Sequence, residues 1–410
     1  MMRHSATSPK GLLTRWVFAL TLIGYPIFGL VAALVNLDST WTTIPFRIGV
    51  VTLAVVLCTQ ATKARLPLPP GQVLLLIFWL LYLLRLLWDF AVAGTPGAMD
   101  ALIFFGLTVL IPCMALLRST VEGQEFPLAL LLLFMGGTTC ILAVSMYYFQ
   151  LGQERSLIEQ TDRLFFEAVN PITLGYAATT TLISALCLTM YRLKTIHRAA
   201  MVVAVLASAS CLMLTASRGP LIALAVCAAT FLMFTGRWRL MVLLALLVLP
   251  VVFGSASQME SRFTDIEEDE SGKERLLLQG SALAEFQRHP FTGSAFVEPL
   301  TLSYPHNLII ETAMALGIVG LAVLLFVIIG ACLRALKRLR QGELLLPLLF
   351  AQYLLAAQLS GTIYGNAALW ATLVLLFCAG CTSPKSRSKP GIFLGAIALG
   401  APVSSHPHSS

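Results

Sequence analysis

The sequence predicts an all-α polytopic integral membrane protein with about 12 transmembrane helices and one large loop outside the bilayer. Three observations carry this. Of 410 residues, 58% are hydrophobic and only 11% charged, with a mean hydropathy of +0.84; a soluble domain is about half apolar and about a quarter charged. Apolar runs of span length recur along the whole chain. Lys and Arg gather in alternate short connections between those runs, which sets an orientation.

The spans are expected at 17–37, 44–61, 72–90, 100–117, 127–149, 171–190, 199–214, 219–235, 240–255, 307–330, 343–360 and 365–382. Each holds close to the roughly 20 mostly apolar residues that a crossing needs. The first follows a basic stretch, as a signal peptide's apolar region does. Its run is long for such a region and no A-x-A site follows, so it reads as a retained span. Spans 7 and 8 are separated only by Thr215–Arg218 and form a tight hairpin. The stretch 391–402 is apolar but too short to cross. The chain therefore reads as a single membrane domain over 1–410, with a large loop at 256–306 between spans 9 and 10 and an inner tail at 383–410.

With both termini inside, eighteen of the 27 basic residues fall in inner segments, against three acids there, Glu122, Glu125 and Glu343. The net charge of +7 does not point to nucleic acid, because the basic residues lie in short clusters between apolar runs. The nine cysteines all sit in apolar runs or at their ends. None lies in an outer loop, so no disulfide framework is expected. Cys378 and Cys381 form a C-x-x-C pair, but with no second pair and no histidine nearby they read as small packing residues.

Few ionisable groups fall within the spans. The pair singled out is Arg85 and Asp89, at i and i+4 near the outer end of span 3. It is either a helix-end ion pair or the lining of an outer cavity. No polar site stands out at the midplane, where a transporter would place one.

Two outer segments are long. One, near 150–170, holds Arg155, Arg163 and Asn170-Pro171. The other, 256–306, carries an acidic run from Asp265 to Glu270, read as a solvated turn or a cation site. Lys273-Glu274-Arg275 follows. Leu276, Leu283 and Phe286, with Leu277 and Leu278, then mark an apolar helical face. This predicts a short helix on the membrane surface or under the loop, with Arg275 at one end and Arg288 at the other.

Three spans begin outside on capping signals: Asn170-Pro171, Ser217-Arg218-Gly219-Pro220, and His306-Asn307. Ser217 suits an N-cap, and Asn307 or His306 can cap the third. Helix N-termini present free N–H groups and a partial positive charge, and so attract phosphate. Arginine forks reinforce that. Arg218, Arg275 and Arg288 are therefore the candidate anion holders, with Arg163 a further candidate. Only His289 and His306 face outward. The residues alone leave open whether His306 is structural or catalytic.

In this order the residues resemble the O-antigen ligase family and its polymerase relatives. The carriers are Ser217-Arg218-Gly219 opening a span, Arg275, Arg288-His289-Pro290-Phe291-Thr292-Gly293, and His306-Asn307 leading to Glu311 and Leu316-Gly317-Ile318-Val319-Gly320. The motifs cover about 205–330; the span count extends the likeness to the whole chain. The chain has Gly293-Ser294-Ala295 where relatives often show G-x-G.

The resemblance implies a glycosyltransferase of a bacterial inner membrane, multi-pass, with both termini cytoplasmic and the active site facing the periplasm. It would move a glycan from undecaprenyl pyrophosphate to a sugar hydroxyl of lipid A–core, in lipopolysaccharide biosynthesis. By similarity Arg218 and Arg288 hold the pyrophosphate with Arg275 assisting, and His306 orients or deprotonates the acceptor. Ser217, Asn307, Arg85 and Arg163 complete the expected substrate-binding set. No metal and no cofactor is expected; the partners are the lipid-linked glycan, lipid A–core and membrane lipids. An O-antigen polymerase or a protein O-oligosaccharyltransferase would share the donor. A transporter is the alternative of another class.

Overall fold

The computed structural model describes residues 9–60, 68–117, 119, 125–153, 164, 166, 168–237 and 270–378. Twelve helices account for the regular structure among them, apart from one bridge between Phe166 and Val169. They are α1 Pro9–Leu34, α2 Thr40–Thr59, α3 Pro70–Ala91, α4 Ala98–Leu116, α5 Glu125–Gln153, α6 Pro171–Leu188, α7 Thr195–Leu214 and α8 Arg218–Thr235. After these come α9 Glu270–Arg288, α10 Leu308–Arg340, α11 Leu345–Ser360 and α12 Ala367–Cys378.

Among the described residues, nine helices are long and apolar enough to cross a membrane; α11 and α12 are apolar but shorter, and α9 is not a candidate span. The chain is a multi-pass membrane protein. Eleven of the twelve expected spans coincide with a helix. The expected span at 240–255 lies outside the described residues, as do Arg163, the acidic run up to Asp269 and the tail at 383–410. Helices overrun the apolar stretches that announced them. Helix α1 starts at Pro9 and already carries Lys10 and Arg15, while α10 runs on to Arg340. Hydropathy marks the hydrocarbon layer, whereas backbone hydrogen bonding continues into the headgroup region.

The most enclosed crossing is α6, packed against α5, α7, α8 and α11, with every residue from Leu174 to Leu188 buried. Buried there are Thr179, Thr180, Thr181 and Ser184. The Gln352 amide on α11 donates to the Tyr176 carbonyl and to Thr180 Oγ1, at 2.9 and 2.8 Å, and Thr180 Oγ1 lies 2.8 Å from the Tyr353 hydroxyl. Such hydrogen bonds join helices where the hydrophobic effect does not favour one apolar neighbour over another.

Helix α10 breaks at Gly317, whose φ of 63° and ψ of −161° belong to a region open almost only to glycine. The break frees backbone groups that the loop before α10 takes up. Ser294 N donates to Met314 O and Ile318 N donates to Pro290 O, both at 2.8 Å. The two chains approach so closely that a Cβ on Gly317 would lie 2.4 Å from Phe291 backbone, and one on Gly293 2.4 Å from Ala315 backbone. Gly293 itself has φ 72°. The motif glycines at 293 and 317 thus form a two-sided dock between loop and helix.

Arg85 and Asp89 on α3 secure this dock. Arg85 Nε donates to the freed Ala315 carbonyl at 2.8 Å, and Asp89 Oδ2 accepts from Phe296 N at 2.9 Å. The two side chains are 3.7 Å apart and nearly buried. A hydrogen bond from a charged group contributes about 1.5–3 kcal/mol, so this pair fixes the loop 290–298 on the bundle. Glu298 closes the loop further: its carboxylate accepts from Ser281 Oγ, Leu300 N, Thr301 N and Thr301 Oγ1.

Candidate active site

At one end of the bundle, the C-terminus of α11 receives three of the expected residues. A helix end leaves its last carbonyls without helical partners and carries partial negative charge. Here Gln358 O accepts from Asn307 Nδ2 at 3.2 Å, and Leu359 O accepts from Arg275 Nη1 at 3.1 Å. Asn307 also caps α10, its Oδ1 accepting from Ile309 N and Ile310 N, both at 3.1 Å. Of the two capping candidates it is therefore Asn307 that caps.

His306, the residue before that cap, stands in left-handed backbone at φ 54°. Its ring meets Tyr304 edge-on, with centroids 4.5 Å apart. It lines a cavity of about 190 Å3 together with Glu274, Arg275, Leu278, Ser303 and Tyr304. Its Nδ1 is buried and makes no hydrogen bond. Burial first, and the Arg275 guanidinium second, hold the ring's pKa below its ordinary 6.5; the Ser360 carbonyl and Glu274 pull the other way without reversing this. The phenol of Tyr304 is pushed up, by burial and then by Glu311. The pocket thus joins a permanent cation, a neutral imidazole and a protonated phenol.

The first turn of α8 abuts the same place. A Cβ on Gly219 would lie 2.8 Å from the Tyr176 hydroxyl and 3.6 Å from Leu359 Cδ1. This sets the backbone of Arg218, which is half-buried, beside the end of α11 on which Arg275 docks. Ser217 occupies the N-cap position as expected, yet its hydroxyl does not cap: it donates to Thr215 O at 3.2 Å. Ala216, at φ 46°, folds the hairpin so tightly that the hydroxyl is turned back onto the turn. At α6, by contrast, Asn170 does cap, accepting from Ile172 N at 2.8 Å.

The arrangement does not bring Arg288 to this pocket. Its side chain is 69% exposed and pairs with Glu285. It sits thirteen residues beyond Arg275 on α9, roughly 20 Å along the axis and about 140° around it. The expected apolar face of α9 is divided: Leu278 is buried together with Ala282, while Leu276, Leu277 and Leu283 project outward. Arg85 is also absent from the pocket; it serves the α10 break. Among the described residues, no three His, Cys, Asp or Glu side chains come together as metal ligands do.

Two ionisable residues inside expected spans were given no role from the sequence: Glu311, named there only within a motif, and Arg47. Glu311, one turn into α10, is fully buried; its Oε1 accepts from Ile363 N at 3.0 Å and its Oε2 makes no hydrogen bond. It holds the turn after Ser360 beside the pocket. Arg47 on α2 lines a second cavity of about 510 Å3, which shares Tyr304 with the first. The signal for both is an ionisable residue within an apolar run.

No curated protein matches the chain. Residues 203–325 match the family model described as O-antigen ligase. That stretch holds Arg218, Arg275, His306 and the glycine dock, and over it the chain is similar to the O-antigen ligase family.

Proposed function

We propose that this protein is a glycosyltransferase that moves an O-antigen glycan from undecaprenyl pyrophosphate to a sugar hydroxyl of lipid A–core at the periplasmic face of the inner membrane. The observation that carries the reading is the shared pocket of Arg275 and His306, inside the matched domain. In the reaction, the acceptor oxygen bonds to the anomeric carbon as the bond from that carbon to the phosphate oxygen breaks. Negative charge gathers on the departing diphosphate, and fixed guanidinium groups stabilise it. Arg275 is the primary holder, with Arg218 at the adjoining helix start. His306, neutral at neutral pH, takes the acceptor's proton. Arginines supply the positive charge, and no metal takes part.

The test is reconstitution of the purified protein with lipid-linked glycan and lipid A–core, with and without a chelator. The expected product is glycan joined to lipid A–core, formed equally in both. Lengthening of the donor glycan alone would replace this reading with a polymerase. Loss of product on chelation, restored by a divalent ion, would overturn the arginine-only account.

A further inference from the structure

We propose that Glu311 is a positioning residue for the transfer reaction: its carboxyl clamps the turn that follows α11, and so fixes the Ser360 carbonyl against His306 and the Leu359 carbonyl against Arg275. This rests on the roles proposed above for His306 and Arg275.

Glu311 is fully buried in α10, a helix with the length and composition of a span. A carboxyl in such a place is costly to bury and normally pairs or serves function. Among the described residues Glu311 makes no ion pair. One oxygen, Oε1, reaches across to another segment and accepts from Ile363 N at 3.0 Å; Oε2 makes no hydrogen bond.

The segment held in this way belongs to the pocket. Asn307 and Glu311 stand four residues apart, on one face at the start of α10. Asn307 Nδ2 donates to Gln358 O at 3.2 Å, and Glu311 accepts from Ile363 N. Two clamps thus bracket residues 358 to 363. Between them lie the two carbonyls that meet the pocket. Leu359 O accepts from Arg275 Nη1 at 3.1 Å, and Ser360 O meets the His306 ring. The helix has ended there: Gly361 is extended, at φ −97° and ψ 169°. Carbonyls at a helix end lack helical partners, so their place depends on what pins the turn behind them. On its far side the turn is held by Trp370 Nε1, which donates to Ile363 O at 2.8 Å. On the side of α10 it is held by Glu311. Releasing that clamp lets the two carbonyls shift together, and a displacement of about 1 Å away from the chemistry can cost about 10²-fold in rate.

Two substitutions separate the acceptor oxygen from bulk and charge. Glu311→Met keeps similar volume and loses the acceptor, whereas Glu311→Gln keeps an acceptor and loses the charge. In steady-state transfer, Glu311→Met should lower kcat by about 10²-fold, and Glu311→Gln should recover most of it. The clamp is also read without turnover, by NMR titration of the full-length protein carrying isotope-labelled histidine, with His306→Ala to assign the signal. The charged and titratable groups facing His306 are Arg275 and Glu274 on α9 and Tyr304 in the loop; neither substitution touches them. A carbonyl acceptor favours the protonated ring. Losing Ser360 O should therefore move the His306 midpoint to lower pH in Glu311→Met and leave it in place in Glu311→Gln. An unmoved midpoint in folded Glu311→Met overturns the inference, as does a Glu311→Gln protein as slow as the methionine variant. Should Glu311→Met not fold, Glu311→Gln decides: a wild-type midpoint and turnover support the clamp, and a moved midpoint or lost turnover overturns it. The expected midpoints in a protein that joins glycan to no acceptor would sink the proposed reaction and leave the clamp standing.

Discussion

The two arginines of α9 give the sharpest test of the site. Resemblance alone ranks Arg288 above Arg275, whereas our proposal, from the pocket that Arg275 shares with His306, ranks Arg275 first. Arg275 is half-buried, donates to Leu359 O and shares a cavity with His306. Arg288 is 69% exposed and paired with Glu285, roughly 20 Å away along the helix. Removing a fixed donor from a site of developing negative charge costs about 2.7–4 kcal/mol, or 10²–10³ in kcat. Arg275→Ala should lose that much. Arg275→Lys should recover little of it, because lysine lacks the two-pronged geometry. An exposed ion pair contributes about 0–1 kcal/mol, so Arg288→Ala should stay within about fivefold of wild type. The assay is initial transfer rate at saturating donor and acceptor, with thermal unfolding measured in parallel. Equal losses in the two alanine variants, at equal stability, would refute the placement of the diphosphate beside Arg275.

Three further outcomes follow from particular contacts. Gly317→Ala should cost well over the 1–3 kcal/mol typical of a forbidden backbone region, because its Cβ would also meet Phe291 backbone at 2.4 Å; a variant with unchanged melting would remove the loop–helix dock. Burial and the Arg275 guanidinium hold the His306 pKa below its ordinary value, so it can accept a proton at neutral pH and loses that capacity as pH falls through its lowered pKa: kcat should rise with pH on the acid side and then level off. In His306→Ala that limb should vanish and turnover fall by about 10²–10⁴, and a fully active variant would exclude His306 as base. A periplasmic reporter fused after Gly272 should be active and a cytoplasmic one there silent, with the opposite result after Lys337. The reverse pattern would invert the orientation read from basic residues.

Much of this was legible in the residues because the bilayer imposes a one-dimensional code. Apolar runs of about 20 residues must become helices, since lipid offers no partners for backbone groups. That fixed the positions of α1 to α8 and α10 to α12, and the hairpin at Thr215–Ser217, without any tertiary information. The short helix with Arg275 and Arg288 near its two ends was legible from helical spacing. The ordered motifs were enough to suggest the family, and the match over 203–325 agrees with them.

What the linear order could not give is which side chains face one another. Arg85 read either as half of a helix-end ion pair with Asp89, which the structure contains, or as the lining of an outer cavity. Only the break at Gly317, which exposes the Ala315 carbonyl across from it, explains its position. Arg275 and Arg288 are equivalent as residue types, and their surroundings differ because α9 turns one onto the end of α11 and leaves the other exposed beside Glu285. Ser217 has the sequence of a cap and the geometry of a turn. Local propensity decided the helices, because each backbone hydrogen bond closes within a few residues. The pocket was decided by contacts between segments tens to hundreds of residues apart, such as Arg275 with Leu359 and Asp89 with Phe296, and no local periodicity encodes those.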